Sequence, residues 1–288
     1  ISGTTWDLSK KLVVQGNISW SAASFSNLLG SSERVISGNG LPVNATTGIF
    51  PIAQSDPAYA IDRNPNSILK QTISYSLPAE PTVASKPSCV PMGAIGIALN
   101  GVAIYNALDD GGRDAVAHEV QDSCNGHPQQ EGEYHYHGPS PCMPHAQENN
   151  AQVGYAFDGF GIYSKYDAFG NEYTDADLDA CHGITSPILW DGKMVSMYHY
   201  VLTDEYPYTL GCFKGTPLQR NSNGNSSSRA TVPTPNRVQS THMQPPQEAV
   251  AACHLQSESA ACSFVSPKGT ISGLCKIVTG TTTACVPQ

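Results

Sequence analysis

Charged residues are scarce in this sequence, at 14% of the chain, well below the quarter that is usual for globular proteins. Acidic residues outnumber basic ones by 24 to 15, which gives a formal net charge of -9. A chain without a basic stripe cannot displace counterions from a phosphate backbone, so nucleic acid is not an expected partner. No apolar run approaches the roughly 20 residues that cross a bilayer, so no transmembrane segment is expected.

Several catalytic and metal-binding motifs are also missing. No Cys-x-x-Cys occurs, which argues against zinc ribbons, thioredoxin-like chemistry and c-type haem attachment. No Gly-x-Ser-x-Gly nucleophile elbow and no glycine-rich phosphate loop is present. Serine hydrolases of that type and nucleotide-binding enzymes are therefore not indicated.

Nine cysteines in a weakly charged chain favour an oxidising compartment and disulfide pairing. The odd total leaves one thiol unpaired or paired outside the chain, and the sequence does not decide the connectivity. No signal peptide is present, but Ile1 is not a start residue. The simplest account is a mature protein whose leader was removed, with a secreted, extracellular or cell-surface location.

Short apolar segments interrupted by Gly, Pro, Asn and Ser predict an all-β or β-rich fold, sandwich-like or jelly-roll-like, with few short helices. Asn100-Gly101 and Asp191-Gly192 each predict a two-residue hairpin turn. Short helices are expected over residues 113–122 and 174–181. The β-rich domain is assigned to residues 1–217, an Asn/Ser/Pro-rich linker to 218–248, and a small four-cysteine module stapled by disulfides to 249–288. No strict internal repeat is evident.

The stretch that carries most chemistry is Glu133-Tyr134-His135-Tyr136-His137. In a strand, side chains alternate between faces, so the two histidines share one face and the two tyrosines the other. Tyr198-His199-Tyr200 shows the same alternation. Imidazole is a common ligand for transition metals, so we predict a metal site built from His135, His137 and His199. The alternative ligands are His118, His127 and His182.

Three imidazoles suit zinc with an open fourth position, or copper, whereas two imidazoles with a carboxylate suit non-haem iron or manganese. Copper or zinc is favoured for a secreted protein, and manganese or iron is kept as a further option. Cysteine is the weaker ligand candidate because disulfides would consume the thiolates. If the site is catalytic, the candidate acids or bases are Glu119, Glu133 and Asp158. Asp158 could equally be a turn-forming residue before Gly159.

The histidine pair has less specific interpretations as well. Two histidines on one strand face could be surface residues, or could hydrogen-bond a core carboxylate. A non-catalytic extracellular protein that binds a glycan, a small molecule or a protein partner is one rival function, and metal storage is another. Tyrosines can stack on sugar rings, but they more often fill the core of a β-protein.

Residues from about 46 to 217 resemble the YHYH-domain secreted proteins, a family named for its Tyr-His-Tyr-His motif. The segments that carry this resemblance are SDPAY with DRNPN, the IALNGV hairpin, AHEVQDSCNGHP, GEYHYH, GYAFDGFGIY, DLDACHG and YPYTLGCFKG. The resemblance implies secretion and a shared set of residues, but no settled reaction. Cys124, Cys142, Cys181 and Cys212 fall inside these segments, which makes Cys89 the candidate odd thiol. The tail, residues 249–288, resembles a four-cysteine module appended to various secreted bacterial proteins.

Overall fold

The computed structural model describes residue 7, residues 10–218, and, nearer the C-terminus, residues 252–253, 256–266, 269–279 and 282–287. The chain divides into two compact bodies, a main body (Ile1–Ala230) and a C-terminal body (Thr231–Gln288). The predicted linker at 218–248 lies outside the described residues, apart from Leu218. No helix within the described part of the chain is long and apolar enough to span a bilayer.

The main body is built from short strands, as the punctuated apolar pattern predicts. Its strands are β1 (Ile18–Ser19), β2 (Phe25–Leu29), β3 (Glu33–Gly38), β4 (Thr46–Thr47), β5 (Ile73–Pro78), β6 (Ser88–Cys89), β7 (Ala94–Ala98), β8 (Ala103–Tyr105), β9 (Gly126–Pro128), β10 (Tyr134–Tyr136), β11 (Gln152–Ala156), β12 (Gly161–Tyr163), β13 (Gly183–Trp190), β14 (Lys193–Val201) and β15 (Cys212–Phe213). One short helix, α1 (Ala115–His118), and 3₁₀ turns at Pro57–Ala60 and Asp175–Asp177 complete the described elements. The β-rich fold class is confirmed.

One eight-stranded sheet dominates the main body, with strand order β13-β14-β12-β11-β7-β8-β10-β9. The sheet consists of two halves with the same connectivity. In the first half-sheet (β7–β10), β7 and β8 form a hairpin, and β9 and β10 form a second antiparallel pair. The two pairs join where β10 lies parallel to β8. In the second half-sheet (β11–β14), β14 lies parallel beside β12 in the same way. The sequence shows no strict repeat, but the fold repeats a four-strand unit.

A three-stranded sheet, in the order β2-β3-β5, packs against the large sheet and makes the main body sandwich-like. Tyr75 of β5 contacts Phe157, with ring centroids 4.6 Å apart. Arg34 of β3 is buried, and its guanidinium carbon lies 4.5 Å from the centroid of the Tyr155 ring. Its Nη2 forms an ion pair with Oδ2 of Asp191 at 2.6 Å. Since a buried guanidinium needs a partner, this ion pair lets a charged residue sit between the sheets.

Both predicted hairpins are confirmed, at β7–β8 and at β13–β14. The predicted two-residue turn is found at Asp191-Gly192, where both residues have positive φ. At β7–β8 the Ala98 amide donates to the Val102 carbonyl, so the loop is one residue longer, and Gly101 but not Asn100 has positive φ.

The predicted helices are shorter than expected. The Asp114 side chain caps α1 by accepting the Ala117 amide at 3.2 Å, but the backbone becomes extended at Glu119. The second predicted helix is the 3₁₀ turn Asp175–Asp177, entered through the expected capping box of Thr174 and Asp177. Both segments end early because the backbone becomes extended, at Glu119 in the first and at Leu178 in the second.

Two disulfides close loops of the main body, Cys124–Cys142 and Cys181–Cys212. Cys89 is a free, exposed cysteine, in agreement with the prediction.

The C-terminal body is a meander of β16 (Ala261–Ser266), β17 (Gly269–Thr279) and β18 (Thr282–Pro287). Cys253–Cys275 is a disulfide, and Cys262 is disulfide-bonded as well. Disulfides therefore staple this body, as the sequence predicts.

Candidate metal centre

Three histidines converge on one face at the β9 edge of the large sheet. His135 lies in the middle of β10, directly opposite His127 of β9. His137 follows two residues after His135, so its side chain points to the same face. All three side chains are buried, and their nearest nitrogen atoms lie within 4.8 Å of one another. Cross-strand pairing and strand alternation together are enough to assemble this cluster.

Backbone carbonyls hold two of the imidazole rings in a defined orientation. Nδ1 of His135 lies 3.0 Å from the carbonyl oxygen of Glu133, and Nδ1 of His137 lies 2.6 Å from that of Asn106. A carbonyl can only accept, so Nδ1 of each ring carries a proton, and Nε2 of each ring is the atom that faces the cluster. These two Nε2 atoms face each other at 3.0 Å. Two bare nitrogens would repel at this distance, and a proton or a metal ion between them removes that repulsion.

Glu119 brings a carboxylate to the same point. Its Oε2 lies 3.2 Å from Nε2 of His127 and 3.1 Å from Nε2 of His137. That oxygen and both ring nitrogens of His127 are buried without a hydrogen bond of good geometry in the described part of the chain. Burial alone would raise the pKa of Glu119, but the contacts with His127 and His137 outweigh it and hold the pKa well below its usual range. The carboxylate is therefore ionised at neutral pH.

The environment also keeps the imidazole of His135 neutral. Burial, followed by the nearby His127 and His137, lowers the pKa of His135 well below its usual value. Tyr105 covers one face of the His135 ring, with centroids 3.8 Å apart and planes inclined by 21°. A neutral, oriented imidazole is the form that binds metal ions.

A pocket of about 600 Å³ opens above the cluster. Its walls carry acidic and amide side chains with a few apolar ones, and no Lys or Arg is among the described residues that line it. The polar groups that contribute include Asp62, Asn64, Asn66, Asp109 and Gln129. This composition disfavours anionic ligands and suits neutral polar or cationic ones.

The tyrosines of the Tyr-His-Tyr-His stretch face the opposite side and belong to the core. Tyr134 donates to both carboxylate oxygens of Asp122, at 2.9 and 2.8 Å. The hydroxyl oxygen of Tyr136 accepts from the Asn100 side chain at 3.0 Å. Both rings are almost fully buried. The core interpretation of these tyrosines is thus the one that the structure supports, and they fix the strand that carries the histidines.

Of the three candidate acids, only Glu119 lies in the cluster. Glu133 precedes the strand and accepts a hydrogen bond from the Tyr105 hydroxyl at 2.5 Å. Asp158 lies in the second half-sheet, where it accepts from Tyr200 at 2.5 Å and from the Gly215 amide at 2.8 Å. Burial raises the pKa of Asp158 despite these hydrogen bonds. Its surroundings are those of the turn-forming core residue.

His199 does not join His135 and His137, which corrects the predicted three-histidine set. It lies in β14, and four strands separate β14 from β10 in the sheet. At about 4.8 Å per strand, this places them roughly 24 Å apart along the sheet. His127, one of the alternatives, takes the third position instead.

The remaining alternatives, His118 and His182, also lie elsewhere. His118 is exposed at the end of α1, and its Nδ1 contacts the Asp114 carbonyl at 2.9 Å. His182 is buried among Thr209, Asp175 and Thr203, with contacts of 2.8 to 3.0 Å. Each has local partners of its own and lies outside the cluster of His127, His135 and His137.

Lys11 lies outside the pocket lining and is a cationic neighbour of Glu119 that the sequence did not reveal. Its Nζ donates to the Gln121 side chain at 2.7 Å and to the Val116 carbonyl at 2.5 Å, on either side of Glu119 along the chain. Burial lowers the pKa of Lys11 to about 8, although Glu119 and Asp114 act in the opposite direction. No local pattern could have linked Lys11 to residues so distant in sequence.

Comparison with known proteins agrees with the resemblance described above. Residues 74–174 match the family model described as YHYH protein, so the chain carries a YHYH domain. The matched range contains Glu119, His127, His135 and His137, whereas His182 and His199 lie beyond it. Searches among curated proteins and among solved structures found no match.

Proposed function

We propose that this chain is a secreted metal-binding protein whose metal ion is held by His127, His135, His137 and Glu119. The observation that carries the proposal is the pair of facing Nε2 atoms of His135 and His137 at 3.0 Å. Each ring has its proton fixed on Nδ1 by a backbone carbonyl. This is the usual way in which proteins orient a histidine ligand, because the hydrogen bond at one nitrogen exposes the other to the metal.

The donor set narrows the choice of metal. Three imidazoles and one carboxylate suit zinc, and they also fit copper, manganese or iron. Zinc is the first expectation, because a borderline cation matches a mixed nitrogen and oxygen set. Copper is the second, since imidazole is its common ligand in extracellular proteins.

An enzymatic role is the extension of this proposal. The cluster lies at the base of a pocket of about 600 Å³, which leaves room for a substrate next to the ion. A bound divalent metal would supply Lewis acidity to such a substrate. Glu119 would then act either as the fourth ligand or as the base beside it. The absence of cationic side chains from the described pocket lining favours a neutral polar or cationic substrate.

Storage of metal is the weaker function. Among the described residues, the other group of three metal-binding side chains consists of Cys253, Cys262 and Cys275. Disulfide bonding takes up these cysteines. A single histidine site in the described part of the chain suits a catalytic or binding role better than a reservoir. The disulfides support secretion, since such bonds persist in oxidising compartments.

Elemental analysis of protein purified without a histidine tag tests the proposal. We expect one transition-metal ion per wild-type chain, and a more than about tenfold loss of bound metal in His127→Gln and in His135→Gln, since ligand loss costs at least as much as loss of a ligand's hydrogen-bond partner. His118→Gln is the matched control and should retain the metal. Wild-type protein that is folded but metal-free would overturn the proposal. An equal loss of metal in the control would overturn the ligand assignment.

A further inference from the structure

The two halves of the large sheet correspond residue by residue in their hairpins. The turn Asn100-Gly101 of the first half-sheet has its counterpart in Asp158-Gly159 of the second, at a constant offset along the chain. Each hairpin is followed by an isolated β-bridge, Leu108–Asp114 in the first half-sheet and Tyr166–Glu172 in the second. These two bridges are related by the same offset. Two hairpins with equivalent downstream bridges are what duplication of one unit produces.

The contact between the half-sheets has the symmetry that such a duplication requires. In the β7–β11 ladder, Ile97 lies opposite Tyr155, and these two positions are equivalents of each other. The flanking backbone hydrogen bonds, from the Phe157 amide to the Ile95 carbonyl and from the Leu99 amide to the Val153 carbonyl, are both 2.9 Å. Shifting each residue number by the same offset, up in one half-sheet and down in the other, converts one of these hydrogen bonds into the other. A local two-fold axis therefore passes between Ile97 and Tyr155.

The loops and second strand pairs match as well. Asp122 accepts from Tyr134 in the first half-sheet, and Asp179 accepts from Tyr198 at 2.9 Å in the second. Each aspartate is followed two residues later by a disulfide-bonded cysteine, Cys124 or Cys181. The next residues, Asn125 and His182, both have positive φ, at 55° and 70°. A shared left-handed position just before β9 and β13 is a specific backbone feature that chance does not readily repeat.

The strand registers then identify the counterparts of the metal-binding histidines. His135 lies opposite His127 in the β9–β10 ladder, and His199 lies opposite Ile184 in the β13–β14 ladder. His137 follows His135 by two residues, and Val201 follows His199 by two residues. Ile184 and Val201 thus occupy the places of His127 and His137.

We propose that the surroundings of His199 are a second, degenerate copy of the metal centre, which keeps one ligand and has apolar residues at the positions of two others. This inference rests on the proposed metal site of the first half-sheet. Nδ1 of His199 contacts the Met197 carbonyl at 3.2 Å, as Nδ1 of His135 contacts that of Glu133. Nε2 of His199 is buried and has no hydrogen-bond partner in the described part of the chain. A disused ligand explains this costly unpaired nitrogen.

Restoring the lost ligands tests the inference. Ile184→His with Val201→His in the full-length chain should bind one more Co²⁺ ion than the wild type, with the visible absorption of a histidine-bound cobalt ion. Cobalt chloride alone is the probe, and titration with equilibrium dialysis gives the stoichiometry. Adding His199→Leu to the double variant should remove the extra ion and leave the first site loaded. A folded double variant that gains no cobalt would overturn the inference.

The same titration separates failure of this inference from failure of the proposed metal site in the first half-sheet. If the first site binds no metal, the wild type takes up no cobalt, and the double variant still reports the second site as a change from none to one. Val201→His alone, which recreates Tyr-His-Tyr-His in β14, serves if the double variant does not fold, with folding judged by circular dichroism. This single variant should bind cobalt more weakly through two histidines and lose it on His199→Leu. A folded single variant without cobalt binding would contradict the inference.

Discussion

At the scale of the residue, backbone acceptors decide what the buried histidines can do. A carbonyl at Nδ1 fixes the tautomer of His135, His137 and His199 in the same way. The difference lies at Nε2. In His135 and His137 this atom faces the other potential ligand atoms of the cluster, whereas in His199 it is buried without a hydrogen-bond partner in the described part of the chain. The Tyr163 ring lies beside His199, with ring centroids 4.9 Å apart. One chemical arrangement thus yields a candidate ligand in one half-sheet and an unpaired nitrogen in the other.

The unpaired histidine should make stability depend on pH. Burial lowers the pKa of His199 to about 4, so the folded protein disfavours its protonation. In the unfolded chain His199 takes up a proton near pH 6.5. Its contribution to the free energy of unfolding is therefore complete above that pH and declines as the pH falls toward 4. Between pH 7 and pH 4 we expect the free energy of unfolding of the wild type to fall by up to about 3 kcal/mol more than that of His199→Leu. Urea unfolding of both proteins at several pH values measures the difference.

The comparison isolates His199 because all other titrating groups are common to both proteins. A constant difference in the free energy of unfolding between pH 7 and pH 4 would show that His199 does not resist protonation.

The tyrosine hydroxyls of the histidine strand should matter for stability rather than for metal chemistry. Tyr134→Phe removes the donor to Asp122, a carboxylate that remains buried and keeps the Gly48 amide as a donor at 2.8 Å. We expect a loss of about 1–2 kcal/mol in the free energy of unfolding, with metal content unchanged. Thermal melting and elemental analysis provide the two readouts. Tyr206→Phe, at an exposed position, is the control, and equal losses in both variants would contradict this account.

At the scale of the element, local turn residues were enough to predict the hairpins from the sequence, but they were not enough to predict which histidines form the site. Asn100-Gly101 and Asp191-Gly192 specify their turns through neighbouring residues, so the sequence alone predicts them. The choice of His127 over His199 depends on which strands lie next to β10. That order arises from the packing of distant segments, and no short pattern encodes it. The recurrence of Tyr-His-Tyr in β14 reflects the repeated four-strand unit rather than spatial proximity.

The contact between the half-sheets predicts an intolerant pair of glycines. A Cβ at Gly154 would lie 2.6 Å from the Ile97 carbonyl oxygen, and one at Gly96 would lie 2.7 Å from that of Tyr155. Backbone atoms cannot move aside without disturbing the ladder. We expect Gly154→Ala and Gly96→Ala each to cost about 2 kcal/mol, measured by chemical denaturation.

Gly111→Ala is the matched control, because its nearest neighbour is a side-chain oxygen of Asp109 at 3.2 Å. If the control is destabilised as much as the two sheet variants, the close approach of the half-sheets is not what limits these positions.

At the scale of the whole molecule, disulfides hold the loops around a sheet made of short strands. Cys124–Cys142 spans a sequence separation of 18 residues and encloses β9, β10 and all three histidines of the cluster. Cys124→Ala with Cys142→Ala should lower the free energy of unfolding by about 3 kcal/mol. It should also weaken metal retention, because the histidine strands lose their constraint. Denaturation and metal analysis of the same sample test both effects.

The free cysteine offers the contrast. Cys89→Ala removes an exposed thiol and should leave stability within about 0.5 kcal/mol of the wild type. A loss as large as that of the disulfide variant would show that Cys89 is part of the covalent framework.

The central claim is that one metal ion lies between His127, His135, His137 and Glu119. Anomalous diffraction from crystals of the tag-free protein, recorded on both sides of the absorption edge of the metal found by elemental analysis, tests it most directly. We expect a single strong anomalous peak within about 2.0–2.3 Å of the three imidazole nitrogens. A map with no peak at this cluster, or with its strongest peak elsewhere on the chain, would show that the metal ion does not lie there.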